Sequence, residues 1–154
     1  MVNWITRTRE RSAAGALTLE SATGDIAASG DLTLDADGGI AVLDSLAAAG
    51  SLTMDADSDD AGGGTLTLAA GATIAAGANT IRITADDLDL SGALVAGAVF
   101  ISDSDGTGIG LGATTVANGL NIGGTELQAM TTPGLSLYTQ GSIFADNITA
   151  ANSA

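Results

Sequence analysis

The chain predicts an all-β fold wound as a β-solenoid with short coils, and three observations predict it. The first is a phrase that recurs four times: Leu17-Thr18-Leu19, Leu32-Thr33-Leu34, Leu52-Thr53-Met54 and Leu66-Thr67-Leu68. Each copy puts two aliphatic side chains on one face and a threonine on the other, the period-2 pattern of a half-buried strand. The second is the interval between copies, whose starts lie 15, 20 and 14 residues apart with Gly, Ala and Asp between them. That interval is about one coil of a chain that winds and stacks upon itself. The third is the scarcity of aromatic residues, which are only Trp4, Phe100, Tyr138 and Phe144. A thick core draws on aromatics because each buries so much area, so this interior is thin and built from Leu, Ile, Val and Ala.

Taken in order, residues 1–12 read as a non-repetitive leader or cap, and residues 13–154 as the β-solenoid repeat domain. Arg7, Arg9 and Arg11, three of the four arginines, precede a change of composition near Ser12. The first eleven residues contain no apolar run of the length a secretory signal peptide uses. From Ala13 onward, weaker strands follow the Leu-Thr phrases at Asp25–Ala28, Ile40–Leu43 and Ala72–Ala75. Further strands are expected at Ile81–Ile83, Leu88–Leu90, Ala93–Val95 and Val99–Ile101, too closely spaced for helices between them. The alternation points Leu17, Leu19, Ile26, Leu32, Leu34, Ile40, Val42, Leu52, Met54, Leu66, Leu68, Ile74, Ile81, Ile83, Leu88, Leu90, Val99 and Ile101 inward. Thr18, Thr33, Thr53, Thr67 and Arg82 point outward. With Leu17–Leu19 equivalent to Val99–Ile101, about four to five coils lie between them.

The rhythm changes from Gly106 on. Ile109-Gly-Leu-Gly112 leads to Leu120-Asn-Ile122, and Thr125–Met130, with Leu127 and Met130 at i, i+3, reads as a short helical turn. Strands resume at Leu135–Tyr138, Gly141–Phe144 and Asn147–Thr149. Tyr138, Ile143 and Phe144 are expected to plug the end of the bore, because an uncapped last coil exposes apolar area and unpaired backbone.

Composition excludes several classes of function. The 22 glycines and one proline, Pro133, indicate tight turns in ordered structure. Eighteen acidic residues against four basic ones give a net charge of −14, a field that repels nucleic-acid phosphate and anionic lipid. No stretch is long and apolar enough to insert as a membrane helix. The chain has no His, Cys or Lys, which removes histidine bases, Ser-His and Cys-His nucleophiles, thiolate metal sites, Schiff bases and a Walker A loop. Carboxylate pairs remain, but the aromatic platforms and basic residues of a polysaccharide-cleaving site are missing, so the chain reads as non-enzymatic.

Three aspartate turns are candidate cation sites: Asp35-Ala-Asp37-Gly-Gly39, Asp55-Ala-Asp57-Ser-Asp59-Asp60-Ala-Gly62 and Asp103-Ser-Asp105-Gly106. In the second, Asp55, Asp57, Asp59 and Asp60 alternate as oxygen ligands for a hard cation such as Ca²⁺. It opens like an EF-hand loop but carries Leu66 where the bidentate Glu belongs, and the chain lacks the Gly-Gly-x-Gly-x-Asp nonapeptide of calcium-stacked rolls. Against this stands the turn chemistry of Asp and Gly, which needs no metal. One outward threonine per strand falls short of the Thr-x-Thr ranks of an ice-binding face.

The Gly-Ala-Leu-Thr-Leu repeats, Ile81-Arg-Ile-Thr-Ala-Asp-Asp-Leu-Asp-Leu90, the succession Ile109-Gly-Leu-Gly…Leu120-Asn-Ile…Thr125-Glu-Leu-Gln and the ending Ile148-Thr-Ala-Ala-Asn-Ser-Ala154 resemble large filamentous-haemagglutinin-type exoproteins. The resemblance covers roughly residues 13 to 154. It implies a right-handed parallel β-helix exported through the outer membrane of a Gram-negative bacterium, although the family's amino-terminal secretion domain is not recognisable in this sequence. The expected function is a shaft segment of a secreted or cell-surface adhesin, whose partners are neighbouring coils or chains, host or cell surfaces, or glycans. The alternatives are a self-assembling filament subunit and a calcium-dependent carbohydrate- or surface-binding module.

Overall fold

The computed structural model describes residues 3–5 and 10–148. Through its first four passes the chain visits three sheets in a fixed order, one short strand in each, and then returns to the first. β1 (Asn3–Ile5), β2 (Glu10–Ala13) and β3 (Leu17–Leu19) make the first pass. β4 (Ile26–Ala28), β5 (Leu32–Ala36) and β6 (Ile40–Val42) make the second, and β7 (Leu46–Ala48), β8 (Leu52–Asp55) and β9 (Thr65–Leu68) the third. β10 (Thr73–Ala75), β11 (Thr80–Ala85) and β12 (Asp87–Leu90) repeat the order. β13 (Ala93–Val95), β14 (Ala98–Asp103) and β15 (Gly108–Gly112) follow, and then β16 (Leu120–Gly123) and the short helix α1 (Gly124–Ala129) are interposed. The last pass is β17 (Met130–Thr131), β18 (Leu135–Tyr138) and β19 (Ser142–Asp146).

The sheets are β1-β4-β7-β10-β13-β17, β2-β5-β8-β11-β14-β18, β3-β6-β9-β12 and the smaller β16-β15-β19. Every ladder among the described residues is parallel. Parallel neighbours need a long connection between them, and here the two strands in the other sheets supply it, except that the seven residues 113–119 join β15 directly to β16. The fold is all-β and parallel.

In-register pairing stacks like on like. In the second sheet Leu32, Leu52, Ile81 and Val99 lie in one file, and Leu34, Met54, Ile83 and Ile101 in another. The first sheet supplies Ile26, Leu46, Ile74, Leu94 and Met130, and the third supplies Leu19, Val42, Leu68 and Leu90. These files merge into one buried cluster. Full burial of each such side chain contributes about 1.5–3 kcal/mol. Every residue expected to point inward is buried except Leu17, which packs half-exposed at the edge of the cluster, and none of the five expected outward is buried.

The four Leu-Thr phrases do not stack as one file. Those at Leu32 and Leu52 lie in the second sheet, whereas those at Leu17 and Leu66 lie in the third with Ile40–Val42 between them. Val99–Ile101 belongs to the second sheet and is not the equivalent of Leu17–Leu19. The cause is uneven corner length: eight residues separate Ala56 from Thr65, while a single residue, Asp86, separates β11 from β12. The long corner closes tightly at Gly64, where a Cβ would collide with the Ala56 carbonyl oxygen. The strand Leu46–Ala48 was not expected, since two alanines give it little pattern, yet Leu46 is fully buried. The expected boundary near Ser12 falls inside β2, which pairs with β5, and β1 pairs with β4.

The third sheet stops at β12, and two acidic side chains bridge the break. Asp87 Oδ1 accepts from the Asn121 backbone N–H at 3.1 Å, and Glu126 Oε1 accepts from Leu90 N–H at 3.2 Å. Glu126 Oε2 also takes Gly123 N–H at 2.7 Å, reaching back to the start of α1, which forms where a helical turn was expected. Burial pushes the Glu126 carboxyl above its ordinary range; the two N–H donors work against the rise and the charges of Asp87 and Asp89 add to it. A raised carboxyl stabilises the fold fully below the unfolded value near 4.5, and that contribution is lost as pH rises through the higher folded value. We therefore expect Glu126→Gln, which keeps an acceptor without the charge, to shrink the rise in melting temperature that wild-type chain shows between pH 7 and pH 4. A rise of equal size in both proteins would contradict the assignment.

Candidate functional site

Ten of the fifteen aspartates (Asp35, Asp37, Asp55, Asp57, Asp59, Asp60, Asp86, Asp87, Asp103 and Asp105) lie on or beside one corner, between the second sheet and the strand that follows it. The chain turns sharply there after each pass, and Asp and Gly are the residues that bond or relax such turns. Because the passes stack in register, the turns form an acidic column. Arg82 is the only arginine after Arg11, and it lies outside the column, over the Phe100 ring at 4.4 Å from the centroid.

Two turns in the column are built alike, at Asp57-Ser-Asp59-Asp-Ala-Gly62 and Asp103-Ser-Asp105-Gly-Thr-Gly108. In each, the first aspartate accepts through Oδ2 the backbone N–H of the glycine five residues on, at 3.2 Å from Gly62 and 2.8 Å from Gly108. The same Oδ2 accepts a hydroxyl from a later pass at 2.7 Å, from Ser104 onto Asp57 and from Thr139 onto Asp103. The second aspartate, Asp59 or Asp105, accepts through Oδ1 the N–H two residues on. The fourth and sixth residues of both turns have left-handed backbone: Asp60 at φ 52° and Gly62 at 81°, Gly106 at 73° and Gly108 at 137°. Asp57 and Asp103 are 0% and 5% exposed, and the Oδ1 of each has no hydrogen-bond partner.

Burial pushes Asp103 above the ordinary carboxyl range, opposed by its bonds from Thr139 and Gly108 and reinforced by Asp105 beside it. Partial burial acts the same way on Asp105, but the Thr107 backbone and hydroxyl, and then Asp103, hold it below that range. Burial likewise raises Asp55; the Asp57 N–H opposes this and the charges of Asp35, Asp60 and Asp57 add to it. Chemically, such oxygens can hold a proton or a hard cation.

The four-carboxylate set expected at Asp55, Asp57, Asp59 and Asp60 is not assembled. Among the described residues no three carboxylates come together as a metal-holding group. Asp55 spends an oxygen on the N–H of Asp57, and Asp60 is a left-handed turn residue, so the four do not converge. The likeness of the two six-residue turns is the feature sequence reading missed. The shared Asp-Ser-Asp with glycine five positions after the first aspartate was its visible signal.

The outer end has a different character. Tyr138, Ile143 and Phe144 do not plug a bore: Tyr138 is 64% and Phe144 53% exposed, and Leu135 and Ile148 are also open to solvent. β18 and β19 have no further strand beyond them among the described residues. Asn147 leaves the strand with φ 52°, Ile148 is not in a strand, and Thr149 lies outside the described residues. No helix among the described residues is long and apolar enough to cross a membrane.

Comparison with known proteins finds no family model, no curated protein and no solved structure that matches this chain.

The Ser104 hydroxyl bonds a buried carboxylate, while the Ser58 hydroxyl bonds the exposed turn of Asp37. Ser104→Ala should therefore lower stability by about 1–3 kcal/mol and Ser58→Ala by under about 1 kcal/mol in urea denaturation. Equal losses would mean that Asp57 does not depend on that bond.

Proposed function

We propose that this chain is a segment of the shaft of a secreted or cell-surface bacterial adhesin, wound as a right-handed parallel β-helix and working by display rather than catalysis. The observation that carries the reading is the in-register stacking of successive passes, each resting on the last through parallel ladders. Such stacking extends by adding passes, and each pass adds about 4.8 Å of height. The resemblance of the repeats to filamentous-haemagglutinin-type exoproteins supports export to the surface of a Gram-negative bacterium. The acidic column supports the same setting, since a strongly negative side wall keeps exposed strand edges soluble.

A filament subunit is the second reading, favoured by the apolar residues on the outer end, Leu135, Ile143, Phe144 and Ile148. Sedimentation velocity across a hundredfold concentration range separates the two. A shaft segment stays monomeric throughout. Species that grow with concentration, seen as fibres by electron microscopy, would replace the shaft reading with self-assembly.

A further inference from the structure

We propose that the two like turns, Asp57–Gly62 and Asp103–Gly108, are a pair of equivalent sites for a hard divalent cation of the calcium class. Each site is built on the buried first aspartate and the exposed second one. The observation that points to a ligand is the Oδ1 of Asp57 and of Asp103. Both residues are at least nine-tenths buried, neither oxygen has an N–H or hydroxyl partner, and the Asp103 carboxyl faces a second carboxyl, that of Asp105. A buried carboxylate oxygen without a partner is costly, and native structures satisfy such groups. That it occurs twice, at the same position of two turns that agree in hydrogen bonding and backbone, makes it a property of the turn.

The surroundings select the class of ligand. The Oδ2 of each buried aspartate is saturated by one N–H and one hydroxyl, so Oδ1 is the atom left to bind. Asp105 stands beside Asp103, and Asp55 and Asp60 crowd the first turn. The chain has no lysine, and among the described side chains the one arginine, Arg82, lies over Phe100. All the donors are oxygen, which suits Ca²⁺ and excludes a soft metal. Two carboxylates per turn, rather than three, leave the remaining positions to main-chain carbonyls and water. That number of charges places the affinity in the range of extracellular modules, about 10⁻⁴–10⁻³ M. A site at Asp103 also ties the end of β14 to the last pass, since Thr139 bonds the same carboxylate.

The test is calorimetric titration of CaCl₂ into the full chain after chelator treatment, with melting temperatures in 10 mM CaCl₂ and in NaCl of equal ionic strength. The proposal expects two sites and a rise of about 10 °C specific to calcium. It expects the double variant Asp59→Asn, Asp105→Asn to bind at least tenfold more weakly and to lose most of the rise. Both positions are exposed, and asparagine keeps the oxygen that closes each turn, so this variant keeps the packing that a change at the buried Asp57 or Asp103 would disturb. Absence of calcium heat, an equal rise in NaCl, or a double variant that keeps the full calcium effect would each overturn the proposal.

Discussion

Register along the parallel ladders is the constraint from which the rest of this structure follows. A strand side of three or four residues has room for only two inward side chains. Each must land on the two inward side chains of the strand below, or the file of Leu32, Leu52, Ile81 and Val99 breaks. A slip of one residue would turn Thr33 or Arg82 into the interior and expose the aliphatics. The interior therefore tolerates little variation, and differences in chain length between passes have to be taken up at the corners. The eight residues before Thr65 and the single residue before β12 are the two extremes.

That division of labour explains where the charge lies. Corners need residues that bond their own backbone or accept a left-handed conformation, which selects Asp and Gly. Stacking corners in register then concentrates aspartates that are well separated in sequence. The acidic column is thus a consequence of turn chemistry repeated at one register, and its unpaired buried oxygens are where that consequence becomes a candidate for binding. The same logic accounts for the break after β12, where the carboxylates of Asp87 and Glu126 satisfy backbone N–H groups that the ladder no longer reaches.

Much of the interior was legible because alternation is a local property: Leu-Thr-Leu or Ile-Arg-Ile declares its faces without reference to any neighbour. The assignment of strands to sheets was not legible, because it depends on corner length, and Leu17 and Leu32 carry the same phrase in different sheets. Leu46–Ala48 escaped notice because alanine is small enough for either face, so only position in the stack identifies it. The aspartate turn at Asp55–Asp60 was visible as a cluster, but its roles depend on hydroxyls from Ser104 and from passes far away in sequence. The expected cap failed for a related reason: Tyr138 and Phe144 carry no local sign that their strands lie outermost.

The claim that each strand rests on the strand one pass earlier is tested most directly by engineered cysteines, since the chain has none of its own. Thr33 and Thr53 face each other in register across β5 and β8, at a strand spacing of about 4.8 Å that lies within disulfide reach. Thr18 and Thr33 occupy consecutive copies of the phrase but different sheets. Oxidation should cross-link Thr33→Cys with Thr53→Cys within one chain and leave Thr18→Cys with Thr33→Cys as free thiols. The reverse outcome, or cross-linking of both pairs alike, would contradict the stacking on which the account rests.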